Sequence, residues 1–519
     1  MPGDADRLFV GGKVLTASRN RPSARALAVR GDRILAVGTD AQAERWAGPR
    51  TRRVELRGRV LLPGFIDAHA HIADAAGELG WTPLESVPSL DAAVDALRAA
   101  APKVAPGTWV VGKDWDESKW PERRYLTRDD LDRVAMDRPV FAMRRDRHLG
   151  SANSRALELA ADLARVRGFE TDGAGRPTGV LREESFTAVR SRVEASEPTV
   201  EAGLSGMARR LHRLGITSAH DVVGLRGWRA YQRAHRAGRL RLRVCAMPRD
   251  DLLPSLVGAG MVTGLGDAWL RLGAVKVFAD GSLGAYTAAL RESYVGRPED
   301  RGILIHPQAE LVDLLRTAHR AGLQTATHAL GDDAIHRTLD ALAAVQAEAP
   351  RRDPRHRIEH YELPDEVALR RTRDLGVLVC AQPNFIGQWS GPADVYETRL
   401  GTERASGNNP YRRILRSRVR LCFGSDGMPY GPLYGLHWAV NGFHPDQRIR
   451  VEEAIRAYTI GGAYASFEER LKGSLEPGKL ADFVILEGDP TEEPDRIAGM
   501  RVAETWIGGT RVWRIGAKR

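Results

Sequence analysis

Five residues, Asp67-Ala68-His69-Ala70-His71, close the apolar run LLPGFID. If that run is a β-strand, side chains alternate and both imidazoles project to the same side. Two such rings can grip one metal ion. Neutral imidazole suits Zn²⁺ and its neighbours, and a catalytic zinc uses about three protein ligands with one position left for water. An isolated pair has a plain alternative, two unrelated histidines near a strand end. Four further residues close other apolar runs: Lys276 in AVKVFADG, His328 in TATHALGD, His360 in RIEHYEL and Asp426 in CFGSDGMP. A core histidine bonded to a backbone carbonyl would account for one of them. Four histidines, a lysine and an aspartate ending different runs argue for one polar cluster.

The elements that must position these residues are legible as alternating patterns. From the histidine pair onward, eight β-like runs alternate with helical periodicity: PGFIDAHAH, ITSAHDVV, LRVCAMP, LGAVKVFAD, LQTATHALGD, HRIEHYEL, VLVCAQPNF and VRLCFGSD. Eight parallel units predict an α/β fold of the (β/α)₈ TIM-like barrel type, whose active sites lie at the carboxyl ends of the strands. An open doubly wound sheet is the alternative, but no Gly-rich phosphate loop follows the first run. Both ends of the chain read differently. LFVGGKVLT, ALAVRGDRILAVG and TRRVELRGRVLLPG at the start, and ADFVILEG, VAETWIGG and TRVWRIG at the finish, are short strands parted by turns, with Gly31-Asp32 as a hairpin signal. Neither set suffices for a core, so a composite β-sandwich from both termini is predicted. The expected organisation is residues 1–62 and 466–519 in the sandwich, 63–465 in the barrel, and a cap inserted at about 75–200.

Size and composition agree. A chain of 519 residues exceeds one ordinary core, and 43% hydrophobic with 28% charged residues describes a globular protein. No apolar run approaches a membrane span, and MPGDADRLFVGGK lacks a signal-peptide core, so a cytoplasmic enzyme is expected. The formal charge of +10 is spread over basic residues interleaved with acids, as in RRYLTRDDLDRVAMDR. That pattern fits a solvated mixed surface better than a nucleic-acid footprint. Cys245, Cys380 and Cys422 sit in strand-like contexts without CxxC spacing, which predicts buried, reduced thiols.

Taken in order, PGFIDAHAH, GITSAHD, AVKVFADGSLG, TATHALGDDAI, RIEHYEL, QPNF, GSDGMP, AYTIGGAYAS and GSLEPGKLADFVIL make the sequence resemble the metal-dependent amidohydrolase superfamily, specifically its amidohydrolase-3 (YtcJ-like) group. The resemblance spans nearly the whole chain. It implies a first divalent metal, Zn²⁺ by preference, on His69, His71 and Asp426, and a second on His328 and His360. Lys276, carboxylated by CO₂, would bridge them, because an ammonium cannot ligate a cation whereas a carbamate offers two oxygens. An unmodified Lys276 paired with Asp280 is the alternative, and would leave room for a single metal. Asp426 is expected as general acid and base.

The resemblance also points to the cap. His148 and Asn153 in RHLGSANS and Glu183 in GVLREES would approach the substrate, His148 as a catalytic group. Tyr286 in GSLGAYTAAL stands where the family often carries arginine, so a relative's substrate does not transfer. His220 and Asp221 would orient ligands from behind. Trp115 and Trp120 in KDWDESKWPE suggest a lid, with a solvated loop as the alternative. The function implied is hydrolysis of carbon–nitrogen bonds other than peptide bonds, in an amide, N-acyl or formamide-type small molecule. A deaminase, a carbon–oxygen hydrolase or a non-catalytic binding homologue are the alternatives. The expected partner is a small-molecule substrate, with no nucleic acid or membrane, and homo-oligomerisation is left open.

Overall fold

In the computed structural model, residues 4–516 are described, except 106, 164 and 194. It is an α/β protein with mixed sheets. Each of the eight runs contains a strand: β1 (Phe65–Ala70), β2 (Ile216–Val223), β3 (Arg243–Pro248), β4 (Val275–Phe278), β5 (Thr325–Ala329), β6 (Arg357–His360), β7 (Leu378–Ala381) and β8 (Arg420–Phe423). They form two parallel sheets, one ordered Leu270–Leu272, β3, β2, β1 and the other β4 to β8 in sequence. The sheet edges approach each other on both sides. The amides of Ser425 and Asp426, just after β8, donate to the carbonyl of His69 at 3.2 and 2.8 Å. Across the other gap Arg249 bridges in parallel to Lys276. Gly424 permits the first approach, since a Cβ there would lie 2.4 Å from the His69 amide nitrogen.

Every residue of β1 and β2 is buried, as expected of parallel strands covered on both faces. Amphipathic helices supply the outer cover. Helix Gln308–Arg320 turns Leu311, Leu315 and Ala318 inward, and helix Asp332–Glu348 adds Ile335, Leu339 and Leu342 to the same core.

Both termini contribute to one β-structure. Val60–Pro63 pairs antiparallel with Phe483–Leu486 inside a six-stranded sheet, and a four-stranded sheet of N-terminal strands packs against it. The core between them joins Leu27, Val29 and Leu61 to Phe483 and Trp506, with the Phe9 ring 4.9 Å from Phe483 and 5.2 Å from Trp506. The hairpin at Gly31-Asp32 is present, with Gly31 at a φ of +59°. The stretch after 466 first crosses the amino ends of the parallel strands before entering this sheet. There Lys472 Nζ donates to Ser218 Oγ at 2.8 Å and pairs with Glu468 at 2.9 Å. Arg243, opening β3, pairs with Asp482 at 2.7 Å and ties the two parts together.

The insertion after β1 is a six-stranded sheet running from Thr82–Pro83 to Pro177–Arg182, with helix Leu90–Ala100 capped by Ser89 against it. The expectation of a lid at Trp115 and Trp120, or of a solvated loop, is corrected here. Both indoles are buried in this unit's core, stacked at 5.6 Å. Asp116 accepts instead from Trp389 Nε1 at 2.9 Å, anchoring the insertion to the segment beyond β7. Helix Glu197–Arg213 packs on helix Ile72–Gly77 and leads directly into β2. Cys245, Cys380 and Cys422 are buried free thiols. Among the described residues no helix is long and apolar enough to cross a membrane.

Candidate metal centre

The β1–β8 contact brings three donors together. His69 and His71 project from the end of β1, and Asp426 follows β8 with a φ of +55°. Asp426 Oδ1 lies 3.0 Å from His71 Nε2 and 3.6 Å from His69 Nε2. The ligand atoms of this trio fall within 4.8 Å of one another. From the second sheet, His360 at the end of β6 has its ring 4.9 Å from His69, and His328 on β5 has its ring 4.4 Å from His360. Lys276 Nζ on β4 is 3.2 Å from His69 Nε2. All six residues marked by sequence therefore converge, and all line one cavity of about 1000 Å³.

His360 carries a φ of +72°, a conformation uncommon for a residue with a Cβ. Strict alternation along β6 would send His360 away from the side used by Arg357 and Glu359. The left-handed turn at the strand end re-aims it. Strain of this kind at His360 and Asp426 is characteristic of functional positions.

The nitrogens are sorted by their partners. His69 Nδ1 donates to Glu359 Oε2 at 2.5 Å, leaving Nε2 for the cavity. His328 Nε2 donates to the Gly281 carbonyl at 3.0 Å, leaving Nδ1. Among the described residues, His360 Nδ1 is buried without a hydrogen-bond partner, and Asp426 Oδ1 meets only the imidazoles of His71 and His69. A metal-binding imidazole ordinarily donates its other nitrogen to a carboxylate or carbonyl, so the arrangement fits divalent cations. A second trio, His69, Glu359 and Cys380, is equally compact. Its members are already satisfied within the protein: Glu359 is paired with Arg357 at 2.5 Å, and the Cys380 thiol donates to the Ala68 carbonyl.

Electrostatics follow from burial and neighbours. Burial, reinforced by Lys276, holds the His69 imidazole well below its ordinary range. Burial drives His360 down to about 3 and, with His360 and His148 nearby, keeps His328 neutral. Burial also pulls the Lys276 ammonium down to about 8. For Asp426 burial is outweighed by His69 and His71, which hold its carboxylate ionised. His71 is the exception among the imidazoles, since burial is outweighed by Asp426 and Asp74, which raise it, so a cation binding there must displace that proton.

Supporting contacts that the sequence reading did not assign lie behind the donors. Arg357 donates to Glu359, to the Ala68 carbonyl and to His220 Nδ1 at 2.9 Å, so His220 reaches His69 only through Arg357 and Glu359. Asp221 accepts from the amides of Ile72 and Ala73 and from Tyr231 Oη, fixing the chain just after His71. Asp67 accepts from Ser425 and the His69 amide, clamping the β1 and β8 ends together. Two charges in the short strand RIEH were the available signal. Asp280, offered as the partner of an unmodified Lys276, accepts instead from the amides of Ala289, Leu330 and Gly331.

The inserted unit delivers His148 to the cavity beside His328, ring to ring 5.0 Å. Glu183 Oε2 meets His148 Nδ1 at 2.8 Å, and against the opposing pull of burial it raises the imidazole to about 9. Glu183 also accepts from Thr287 Oγ1 at 2.5 Å and lines the cavity. Two other expectations are corrected. Asn153 is a helix cap: its side chain accepts from the amides of Val140 and Ala156 and donates to the carbonyls of Ala135 and Arg138, away from the cavity. Tyr286 bonds Arg399 through its hydroxyl and lies beneath the guanidinium groups of Arg297 and Arg399, outside the cavity lining.

A cluster of this kind at the carboxyl ends of parallel strands defines a class. The chain belongs to the amidohydrolase family, whose model matches residues 52–513, and it is an enzyme, a metal-dependent amidohydrolase. Among individual proteins, it is 28% identical to the N-substituted formamide deformylase of Arthrobacter pascens, over 97% of each chain. It is 28% identical to YtcJ of Bacillus subtilis, covering 91% of this chain and 92% of that one. A solved metal-dependent hydrolase from Pyrococcus furiosus is 30% identical, with a TM-score of 0.75 over 93% of this chain and 99% of that one.

Proposed function

We propose that the chain hydrolyses a carbon–nitrogen bond other than a peptide bond in a small amide, N-acyl or formamide-type molecule. The observation that carries this is the convergence of His69, His71, His328, His360 and Asp426 on one cavity, with His360 Nδ1 lacking a protein partner and Asp426 Oδ1 meeting only the ring nitrogens of His71 and His69. The full-length similarity to a formamide deformylase supports the choice of bond.

In this reading the eight parallel strands close as one (β/α)₈ barrel, the two terminal segments form a composite sandwich, and the inserted unit covers the barrel mouth. His69, His71 and Asp426 would hold one divalent ion, Zn²⁺ by preference, and His328 and His360 would hold a second. Lys276 Nζ is 3.2 Å from His69 Nε2, and carboxylated it would supply carbamate oxygens to the ions. Bound ions supply water activated near neutral pH and a polarised carbonyl.

The residues then divide the work. Asp426, held ionised, takes the proton of the attacking water at its carboxylate and passes it to the leaving nitrogen. His148 has Nδ1 engaged by Glu183, so Nε2 is the nitrogen that can meet the substrate. Its positive charge suits an oxygen on which negative charge develops. Glu359 and Arg357 keep His69 in one orientation, and Asp67 keeps the β1 and β8 ends in register.

The test is a panel of formamides, N-acyl amines, deaminase substrates and esters against the metal-loaded protein. Turnover of the formamides and amides with release of amine and carboxylate is expected. Turnover confined to esters or to amidine-type deamination substrates would contradict it.

A further inference from the structure

A narrow side chamber of about 30 Å³ opens off the main cavity of about 1000 Å³. The two spaces share Asp146, His148, His328, His360, Asp426 and Met428 as common wall. Beyond that wall Leu283, Leu330, Phe385, Trp389 and Val395 give the chamber its apolar surface, beside Ser282 and the Arg144 guanidinium, which is paired with Glu117 and Asp146. The apolar side chains belong to one packed cluster that also includes Met428. The Phe385 ring lies parallel to His360 at 6.0 Å and meets Trp389 edge-on at 4.8 Å, so the far wall is stiff. Glu362 and Tyr396, both buried, join the lining.

The two spaces are unequal in a way that bears on which part of a substrate each can take. A carbonyl carbon at the histidine and aspartate donors has its acyl substituent one bond away. The nitrogen substituent begins one atom further out and can extend into open space. A dead-end chamber whose entrance is made by the donors themselves lies where the first acyl atoms must go. The large cavity lies where a varied amine can be accommodated and released.

Resting on the function proposed above, we infer that this chamber is the acyl-side subsite, and that its size restricts the substrate to a formyl or acetyl group while the main cavity accepts diverse amines. The volume between the apolar walls sets the limit. A methylene that does not fit an apolar pocket costs about 10-fold or more in kcat/KM. Leu283 and Val395, on separate segments and remote from the ligating atoms, are the specificity-determining residues to alter.

The experiment has two arms on the metal-loaded enzyme. In the first, formyl, acetyl, propionyl and butyryl amides of one amine are compared, in the wild type and in Leu283→Ala and Val395→Ala. In the second, binding of formate, acetate, propionate and butyrate is measured by calorimetry, without turnover. Expected is a fall of about 10-fold or more in kcat/KM from acetyl to propionyl, a matching fall in carboxylate affinity, and recovery of the propionyl compound in the widened variants. A wild-type profile flat or rising with acyl length, in both rate and binding, overturns the inference and assigns the chamber to ordered water. Length-dependent carboxylate binding without hydrolysis of any amide would uphold the chamber and overturn the proposed function instead. If neither variant folds, the wild-type series alone decides.

Discussion

The two ends of the parallel strands bury the same kinds of side chain and close them differently. At the amino ends Lys472 is enclosed between Ser218 and Glu468, and His319 Nδ1 meets His356 Nε2 at 2.8 Å, while His356 Nδ1 meets Thr325 and His319 Nε2 meets the Ala349 carbonyl. Lone pairs and protons there are used up within the protein. At the carboxyl ends His360 Nδ1 faces a cavity with no protein partner, and Asp426 Oδ1 meets only two other candidate ligands, His71 and His69. Burial of polar groups therefore does not distinguish a site from a scaffold. Residual bonding capacity directed at open space does, since buried polar atoms are otherwise satisfied.

That contrast can be broken from either end. Lys472→Met leaves the buried Glu468 with Arg271 at 3.3 Å and Ser466 Oγ at 2.8 Å, so the loss should reach at most about 3 kcal/mol, the scale of breaking a buried pair outright. Denaturant unfolding should show that loss, while kcat/KM of the folded enzyme stays at the wild-type value. A large activity loss there would erase the distinction between the ends. Asp426→Asn should do the reverse, cutting turnover at least ~100-fold with the thermal midpoint little changed. Full activity in that variant would remove Asp426 from the chemistry.

Glu359→Gln sharpens the comparison, because Glu359 serves both purposes, holding His69 and neutralising Arg357. Metal affinity should fall by about 10- to 100-fold in a chelator competition, the usual cost of losing a carboxylate behind a ligating histidine. Unchanged affinity would show that His69 needs no such support.

The smallest expected effect is a pH dependence of stability from the amino end. Burial, with His319 and Arg351 adding to it, lowers His356 to about 3, so the folded state keeps the ring neutral. Its contribution is complete above the unfolded pKa near 6.5 and is lost as pH falls from there toward about 3. Linkage gives roughly 1 kcal/mol between pH 6.5 and 5.5. His356→Gln should flatten that part of the stability curve, and an unaltered slope would mean the ring is already protonated in the fold.

Much of this was readable from residue types. The apolar runs ending in His69, Lys276, His328, His360 and Asp426 marked the strands and the cluster together, because a polar residue late in a buried strand has few structural reasons to be there. Asn153 misled, since an asparagine that caps helix Ser154–Leu159 looks the same in sequence as one that meets a substrate. Tyr286 and the Trp115–Trp120 pair misled because local sequence does not say which face of a loop packs. Arg357 and Glu359 were overlooked beside His360, although two charges in a four-residue strand require partners. The positive φ values at His360, ending β6, and at Asp426, in the contact between β1 and β8, have no local signature.

The central claim is that the open-ended donors hold divalent ions. Elemental analysis of the purified protein, beside His360→Ala and Asp426→Asn, tests it most directly. One or two tightly held divalent ions per chain in the wild type, with a reduced content in both variants, is the expected result. A wild-type protein that gains no stoichiometric divalent metal when supplied with Zn, Mn, Fe or Co, yet remains folded, would contradict it.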